Sequence, residues 1–486
     1  MRFNRRVPAL VLFVLVPVTL LALYPLGVIK PGAPAATPTV AALGEPTLPF
    51  VPTASFINSS WFCGGVPNVP KATGGSVTVA NPGEAPLTGR ITVFTDAPGV
   101  AAVEKAFDVP ARGTYTAVLS DVQPTGAYLS AMVEIAGGGG FVEQKALAGE
   151  GLAVSPCSNS TSSDWYFADN YTLNGSTEDL VITNPYPDDA ILEFTFASND
   201  GTRRPQSLQG FPVPAKSVAV VSQANMPKDE AVLAVNVHAS RGRVVVARAQ
   251  HYFSERSGFT LSLGAPSLSN QWWFADGERG GTVTKERYSI YNPTDQDVTV
   301  STNVWGIVGH PEFVGRRTDT IPAGNVLSFT TDDIAGMPDG RHGMTFATDG
   351  NASVVIERGI TRKADDGSLS TTVVMGAPAP FNAFQHWSMA IGPSQSADAS
   401  LVVMNLDGAE GTVTVKYLSP GGELVVPGLE KVALPASGVI TLTVPDQAGV
   451  LGAPLLIEAT QRIVVERSLP RLAGSPGRTG SLALPG

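Results

Sequence analysis

The sequence is organised around Trp272-Trp273-Phe274-Ala275-Asp276, which is followed by Asn292-Pro293 and then by Ile321-Pro322-Ala323. This pattern occurs four times, with a tryptophan, an asparagine, a proline and a strand with a charged or polar centre as landmarks. The landmarks are Trp61, Trp165, Trp272 and Trp387; Asn81, Asn184, Asn292 and Asn405; Pro110, Pro214, Pro322 and Pro435; and Glu143-Gln144, Ala247-Arg248, Glu357-Arg358 and Glu466-Arg467. Asparagine follows tryptophan by 18 to 20 residues, and proline follows asparagine by 29 or 30. Such regular spacing indicates a duplicated unit, and a repeat of this kind decides the architecture.

Each copy has the alternating apolar pattern of β-strands. The residues two and four positions before each landmark asparagine are apolar, which places them on one face of a strand. The proline after Asn81, Asn184 and Asn292 ends that strand, because proline lacks the N–H group that a sheet requires. About seven short runs in roughly 105 residues predict an immunoglobulin-like β-sandwich. We expect the four tryptophans to be core residues; an exposed platform for sugar rings is the alternative, and solenoid or propeller closure remains open.

The repeats divide the chain into four predicted β-sandwich modules. Modules 1 to 4 comprise residues 51–158, 159–267, 268–380 and 381–486. Their short joins predict that neighbours pack end to end. Modules in line would form a rod on the order of 140 Å long. The predicted fold class is therefore all-β, with four tandem immunoglobulin-like modules after one N-terminal transmembrane helix.

The N-terminus has the features of a membrane anchor. Three arginines in residues 1–6 precede the uncharged apolar residues 7–29, which are long enough to span a bilayer core of about 30 Å. The arginines predict a cytoplasmic tail at 1–6 and a single-pass signal anchor at 7–29. A cleaved signal peptide ending near Ala33-Pro34-Ala35 is the alternative. The Pro/Ala-rich residues 30–50 predict a semi-rigid spacer. Under both interpretations the bulk of the chain lies outside the cytoplasm.

The chain has two cysteines, Cys63 and Cys157, both in module 1. An oxidising compartment outside the cytoplasm permits a disulfide. Closing so long a loop would constrain the unfolded chain by up to ~4.7 kcal/mol in the loop-entropy model. We therefore predict that the two cysteines are paired; two free thiols are the alternative.

No motif in the sequence indicates catalysis. A net charge of −10 argues against nucleic acid, whose phosphates require a basic surface. The sequence lacks HExxH and Gly-x-Ser-x-Gly, so we predict no catalytic residue, cofactor or metal. Three acidic pairs are predicted to be solvated turns, and a glycosidase pair or calcium ligands are the alternatives; they are Asp188-Asp189, Asp332-Asp333 and Asp365-Asp366. Glu357-Arg358 and Glu466-Arg467 are predicted to be strand-edge charges that face opposite sides.

The motifs support a resemblance. Trp165-Tyr166-Phe167-Ala168-Asp169, the strands that end in Asn-Pro and the later Ile356-Glu357-Arg358 look like modules of secreted bacterial envelope proteins. With its basic start, single span, spacer and four modules, the chain resembles a family of uncharacterised single-pass, membrane-anchored actinobacterial surface proteins. The resemblance implies an extracytoplasmic location and no established activity. Module 4 departs most from the pattern, since Asn405-Leu406 replaces Asn-Pro.

These observations predict a non-enzymatic, membrane-anchored scaffold or protein-interaction protein of the bacterial cell envelope. The alternative is a cell-wall carbohydrate-binding protein, with Trp273, Trp305 and Tyr166 as candidate ligand-contact aromatics. An envelope hydrolase is a third hypothesis. The expected partners are accordingly envelope proteins or cell-wall glycan.

Overall fold

The computed structural model describes residues 48–53, 57–69, 74–149, 151–379, 381–393, 400–470 and 478–486. The predicted cytoplasmic tail 1–6, the predicted membrane span 7–29 and residues 30–47 of the predicted spacer lie outside these residues. Within the described part of the chain, no helix combines the length and apolar composition needed to cross a membrane.

The described chain is all-β, and its sheets are antiparallel. Modules 1 and 2 contain β1 (Asn58–Pro67), β2 (Gly74–Ala80), β3 (Leu87–Thr95), β4 (Val103–Val109), β5 (Thr114–Val118), β6 (Tyr128–Ala136), β7 (Phe141–Ala148), β8 (Gly151–Pro156), β9 (Asp164–Asn170), β10 (Thr177–Asn184), β11 (Ala190–Ser198), β12 (Gly201–Arg203), β13 (Gln209–Val213), β14 (Ser217–Ser222), β15 (Leu233–Arg241), β16 (Val245–Tyr252) and β17 (Gly258–Leu263).

Modules 3 and 4 contain β18 (Gln271–Arg279), β19 (Val283–Asn292), β20 (Val298–Trp305), β21 (Gly315–Ile321), β22 (Asn325–Thr330), β23 (Gly340–Thr348), β24 (Val355–Lys363), β25 (Leu369–Met375), β26 (Ala377–Pro378), β27 (His386–Met389), β28 (Ser400–Asn405), β29 (Gly411–Ser419), β30 (Gly422–Val425), β31 (Val432–Leu434), β32 (Val439–Thr443), β33 (Leu455–Ala459), β34 (Ile463–Pro470), β35 (Arg478–Leu482) and β36 (Leu484–Pro485). Within the described residues, helix is limited to single turns: Leu119–Val122 is α-helical, and the 3-10 turns are Leu173–Gly175, Gln206–Leu208, Gln223–Asn225, Thr331–Asp333 and Phe381–Ala383.

All four modules have the same strand order in two sheets. In module 1 the sheets are β1-β6-β3-β4 and β5-β2-β7-β8. The corresponding pairs are β9-β15-β11-β12 with β14-β10-β16-β17, β18-β23-β20-β21 with β22-β19-β24-β25, and β27-β33-β29-β30 with β32-β28-β34-β35. Eight strand positions are thus common to the modules, one more than the sequence predicted. The short strands β13, β26, β31 and β36 are additional and pair with β11, β18, β29 and β27. We refer to strands by these positions. The first strands are β1, β9, β18 and β27; the second are β2, β10, β19 and β28; the third are β3, β11, β20 and β29; the fifth are β5, β14, β22 and β32. The sixth are β6, β15, β23 and β33; the seventh are β7, β16, β24 and β34; and the eighth are β8, β17, β25 and β35.

The tryptophan and asparagine landmarks are structural. Each landmark tryptophan lies in a first strand and is at most 1% exposed, which confirms the predicted core role. Each landmark asparagine is also buried, and its Nδ2 donates to the carbonyl four residues later and to the landmark proline carbonyl. One amide side chain therefore joins the turn after the second strand to the turn before the fifth. This clamp explains why the asparagine and the proline keep a constant spacing.

Cys63 and Cys157 form a disulfide, as predicted. Cys63 occupies the first-strand position held by Phe167 in module 2, and Cys157 the position held by Gly264. A Cβ on Gly264 would lie 2.8 Å from the ring of Phe167, so a phenylalanine there requires a glycine opposite. Module 3 repeats this arrangement, since a Cβ on Gly376 would lie 2.7 Å from the ring of Phe274. The disulfide therefore takes the place of an aromatic ring packed on a glycine.

The modules form a closed cycle, so the expectation of a rod is wrong. The first strand of each module packs on the seventh strand of the next: β1 on β16, β9 on β24, β18 on β34 and, returning to module 1, β27 on β7. The four eighth strands also contact one another in sequence, β8 with β17, β17 with β25, β25 with β35 and β35 with β8. A heterologous contact that repeats with the correct rotation closes into a ring, and the described residues accordingly form one compact unit.

The last residues of the predicted spacer belong to this ring. Leu48 and Pro49 line the same small central pocket as the four eighth strands, and Leu48 is buried. The Val51 N–H donates to the Pro485 carbonyl at 2.7 Å, and Asn159 donates to the Phe50 carbonyl at 2.8 Å. The start of the described chain therefore contacts modules 1, 2 and 4, and residues 48–50 are packed rather than extended away as a spacer.

The internal repeat predicts how module 1 tolerates loss of its disulfide. We expect Cys63→Phe/Cys157→Gly to melt at a higher temperature than Cys63→Ala/Cys157→Ala. Both variants lose the cross-link, but only the first restores the packing of modules 2 and 3, whereas the second leaves a cavity. The measurement is thermal unfolding of the wild type and the two variants, followed by tryptophan fluorescence. Equal or reversed melting temperatures would show that the two arrangements are not equivalent.

Candidate functional site at the module junctions

The charged centres of the seventh strands lie at the junctions between modules. Glu143, Arg248, Glu357, Arg358, Glu466 and Arg467 are each at most 2% exposed. Glu357 and Arg358 do face opposite ways, as predicted, because Glu357 contacts module 2 and Arg358 contacts module 4. The prediction that they are strand-edge charges is wrong, since a neighbouring module covers each side.

At the junction of modules 2 and 3, Arg248 binds Glu357 through both terminal nitrogens, at 2.7 and 3.1 Å. Glu357 Oε2 also accepts the backbone N–H groups of Ala168 and Asp169, at 2.7 and 2.8 Å. The Arg248 guanidinium lies over the Phe167 ring, 5.2 Å from its centroid. The Trp-x-Phe-Ala-Asp motif therefore supplies the ring and the two N–H donors that surround this ion pair.

The same device recurs at the next two junctions. Arg358 binds Glu466 at 2.7 Å, and Glu466 accepts the N–H groups of Ala275 and Asp276 at 2.7 and 3.3 Å. At the junction that closes the cycle, Arg467 pairs with Glu143 of module 1. Glu143 there accepts the Ile391 N–H at 2.8 Å.

The junction of modules 1 and 2 lacks both charges. Gln144 stands where the arginine would be, and Ala247 stands where the glutamate would be. Gln144 donates to the Gly64 carbonyl at 3.0 Å. A Cβ on Gly65, whose φ is +87°, would lie only 3.0 Å from the Ala247 Cβ, so the backbones meet closely here. Arginine and glutamate have been replaced together, and neither charge is left buried without the other.

A larger polar cluster surrounds the junction of modules 2 and 3. Asp169 pairs with Arg256 at 2.9 Å, and the Arg256 guanidinium lies 4.6 and 5.5 Å from the ring centroids of Tyr171 and Tyr252. Burial raises the pKa of Asp169, but Arg256 and its neighbours outweigh that effect and hold it below its ordinary value. Asp169 is therefore a stable anion that fixes the position of Arg256.

Glu178 is a buried acid in the same cluster. Neither of its carboxylate oxygens forms a well-aligned hydrogen bond among the described residues, although the Tyr171 N–H lies close enough to favour the charged form. Burial raises the pKa of Glu178 to about 8, although the nearby Arg248 lowers it. The carboxyl group is therefore protonated in the folded protein at mildly acidic pH.

A solvent-open cavity of about 410 Å³ lies beside this cluster, between modules 2 and 3. Its lining includes the four basic residues Arg256, Lys285, Arg287 and Lys363, with Glu255 as the acidic residue. Gly359 forms part of the wall. Asp169 packs directly behind it, since a Cβ on Gly359 would lie only 2.7 Å from Asp169 Oδ2. These residues are not recognisable from the sequence because they come from three different strands and the intervening loops, outside the repeated landmarks.

The candidate ligand-contact aromatics are half-buried and fall in two places. Trp273 and Trp305 line one cleft of about 280 Å³ near the junction of modules 3 and 4, together with Gln271, Thr345 and Asn405. Trp305 Nε1 donates to Thr345 Oγ1 at 2.9 Å, which fixes the orientation of the indole. Tyr166 lies apart, at the junction of modules 2 and 3, where its phenol is close to that of Tyr291.

The acidic pairs Asp188-Asp189, Asp332-Asp333 and Asp365-Asp366 are exposed, as predicted for turns. Within the described residues, no group of three or more His, Cys, Asp or Glu side chains is arranged to hold a metal ion.

Fold and junctions define an all-β tandem-repeat protein, and comparison with known proteins adds a family match. Residues 140–366, a little under half of the chain, match a family of unknown function, DUF5719. This match is consistent with the resemblance to an uncharacterised family. No curated protein matches the chain.

Two solved structures are similar to parts of the chain. The crystal structure of Thermotoga maritima 1070 is 13% identical, with a TM-score of 0.20, and the match covers 23% of this chain and 94% of that one. The tetra-tandem repeat in the extending region of a large adhesion protein is 15% identical, with a TM-score of 0.12 over 83% of this chain and 92% of that one. Neither score supports an argument about architecture or function.

The junction of modules 3 and 4 can be converted to the uncharged type found between modules 1 and 2. We expect Glu466→Ala to destabilise the protein by about 3–5 kcal/mol, because Arg358 is left buried without its partner. Arg358→Gln/Glu466→Ala should be more stable than Glu466→Ala alone, since it reproduces the Gln144 and Ala247 pair. Urea unfolding of wild type, both single variants and the double variant measures the coupling. Additive losses would contradict the proposed pairing.

Glu178 predicts a pH dependence of stability. Its folded pKa is about 8 and its ordinary value is 4.5, so the folded state binds the proton more tightly. The free energy of unfolding should therefore fall as pH rises through the window between these values, as ionisation of the buried group becomes unfavourable. Glu178→Gln cannot ionise and should gain stability relative to wild type from pH 5 to pH 8. A difference between the two proteins that is constant with pH would contradict this assignment.

Proposed function

We propose that this protein is a non-enzymatic, membrane-anchored platform in the extracytoplasmic part of a bacterial cell envelope, and that it binds or organises other envelope proteins. The observation that carries the proposal is the closed cycle of four modules joined by buried contacts. Residues 7–29 would supply the anchor.

Rigidity is the property that suits a platform. Domains joined by small polar interfaces ordinarily move relative to one another. Here three junctions contain an arginine and a glutamate that are almost fully buried, so opening a junction would expose matched charges and break several hydrogen bonds at once. A ring adds a second constraint, because one junction cannot open widely without straining the others.

The modules themselves support an immunoglobulin-like origin. Second and fifth strands pair, as do third and sixth, which matches the B–E and C–F pairings of that fold. The difference is an exchange at the edges: the first strand pairs with the sixth, and the seventh pairs with the second. We infer that each module is an immunoglobulin-like sandwich whose first and seventh strands have exchanged sheets.

A carbohydrate-binding function is the second candidate. Trp273 and Trp305 line one cleft with the amide and hydroxyl groups of Gln271 and Thr345, and aromatic faces beside such groups suit sugar rings. Two half-buried indoles in one cleft are the specific observation that favours it.

One experiment on intact cells separates the two functions. Val308 and Val314 are exposed and line a cleft of about 400 Å³ formed by modules 3 and 4, which is the surface proposed to receive a partner. Photo-crosslinking residues replace these two valines in the full chain, with the exposed Val118 in module 1 as the matched control position. The platform predicts a discrete protein adduct in the membrane fraction from at least one of the first two positions and none from Val118. An absence of adducts, or the same adducts from all three positions, would contradict it.

Glycan binding is measured on the purified full chain with cell-wall polysaccharide. If the carbohydrate function is correct, Trp305→Ala should reduce binding at least about tenfold, as expected for loss of one stacked aromatic ring. Phe253→Ala, at an exposed aromatic residue in module 2, should leave binding unchanged. Equal binding by wild type and Trp305→Ala would rule this cleft out.

A further inference from the structure

The cavity between modules 2 and 3 has a net positive charge, although the chain as a whole is acidic. The chain as a whole has a net charge of −10. Four basic side chains nevertheless line this cavity, Arg256, Lys285, Arg287 and Lys363, against the single acidic Glu255. Asp169 lies behind the wall and neutralises Arg256. Four positive charges less two negative ones leave an excess of two positive charges around the open space.

Two arginines form a fixed inner wall. Arg256 is held by Asp169 on one side and by the rings of Tyr171 and Tyr252 on the other, so it cannot move away from the cavity without losing both. Arg287 is anchored through one nitrogen, which donates to the Ala231 carbonyl of module 2 at 3.2 Å. Its Nε is buried and has no hydrogen-bond partner within the described chain. The junction arginines Arg248, Arg358 and Arg467 also have a buried Nε without such a partner, so Arg287 is distinguished by its place in the cavity wall.

The closeness of Arg256 and Arg287 is a second reason to expect an anion in this cavity. Burial, and then repulsion by Arg256, lowers the pKa of Arg287. Arg287 forms no ion pair among the described residues, although an anion at this position would relieve both effects. Lys285 and Lys363 are exposed on the rim, where their ammonium groups can reach a ligand at little cost to the fold.

The internal repeat shows that this charge is not required for a junction. Arg287 lies five residues before its landmark asparagine, and the equivalent positions hold Ser76, Asp179 and Ser400. Lys285 lies seven residues before, and the equivalents in modules 1 and 2 are Gly74 and Thr177. The other junctions form without these cations, so a purely structural role does not account for them.

We propose that this cavity, beyond any platform role, binds a phosphomonoester group, carried by a small soluble molecule or by a lipid headgroup. A phosphomonoester bears nearly two negative charges at neutral pH, which matches the excess of two positive charges. Arginine provides planar paired donors for phosphate oxygens, and lysine adds a mobile point charge. A volume of about 410 Å³ has room for a sugar-sized group beyond the phosphate.

Calorimetric titration of the purified full chain at constant ionic strength tests the proposal. The probes are inorganic phosphate, glucose 6-phosphate with glucose as its uncharged counterpart, and phosphatidylcholine vesicles with or without phosphatidic acid. We expect saturable binding of the phosphorylated probes. Tighter binding of glucose 6-phosphate than of inorganic phosphate would assign a soluble ligand, and binding only to vesicles with phosphatidic acid would assign a headgroup. No saturable binding of any phosphorylated probe would overturn the proposal.

Matched variants connect binding to this cavity. Arg287→Gln, and separately Lys285→Gln/Lys363→Gln, should each weaken binding at least about tenfold, as expected for loss of charge-assisted hydrogen bonds. The lysine pair is exposed, so it tests the site even if Arg287→Gln fails to fold. Lys105→Gln/Lys145→Gln removes the same charge from exposed positions of module 1 and should bind like wild type. Equal weakening by both lysine pairs would show general charge attraction and overturn the site.

Discussion

The structure depends on the pairing of a buried arginine in one module with a buried glutamate in the next. A carboxylate in a dry interface is unfavourable unless an opposite charge and hydrogen-bond donors surround it. Glu357 obtains an arginine and two backbone N–H groups, all from module 2. Neither module can leave the other without exposing its half of the arrangement. The pair therefore specifies which surfaces meet, whatever its net contribution to stability.

In module 1 the residues that form this arrangement are replaced together. Arg248 and Arg358 each lie over a phenylalanine of their own first strand. In module 1 the arginine is Gln144 and the phenylalanine is Cys63, whose disulfide to Cys157 occupies the space of the ring. The next module correspondingly has Ala247 in place of glutamate. Since each of these groups contacts another of the set, a change in one alone would leave a cavity or an unpaired charge.

The repeat landmarks made much of each module predictable. Tryptophan burial, the Asn-Pro turn and the strand alternation are local properties, and the two cysteines had only each other as partners. Ring closure was not predictable, because whether four modules form a rod or a cycle depends on the angle at each junction, which no short motif encodes. The alternation of side chains along a strand predicted correctly that Glu357 and Arg358 point to opposite faces. Their burial could not be predicted, because it depends on neighbouring modules whose positions the repeat pattern does not reveal. The cavity residues were missed since three-dimensional proximity alone brings them together.

Departures from the repeat are of two kinds, and the difference bears on function. Gln144 with Ala247, and Cys63 with Cys157, are compensated changes that preserve charge balance or packing within the ring. Arg287 differs from these, because it forms no ion pair among the described residues, although Asp169 and Glu255 attract it, and it lines an open cavity. Its hydrogen bond to the Ala231 carbonyl holds modules 2 and 3 together, but serine or aspartate at the equivalent positions permits junctions of the same kind. A cation without an ion-pair partner at the wall of an open cavity is therefore better explained by a ligand than by the architecture.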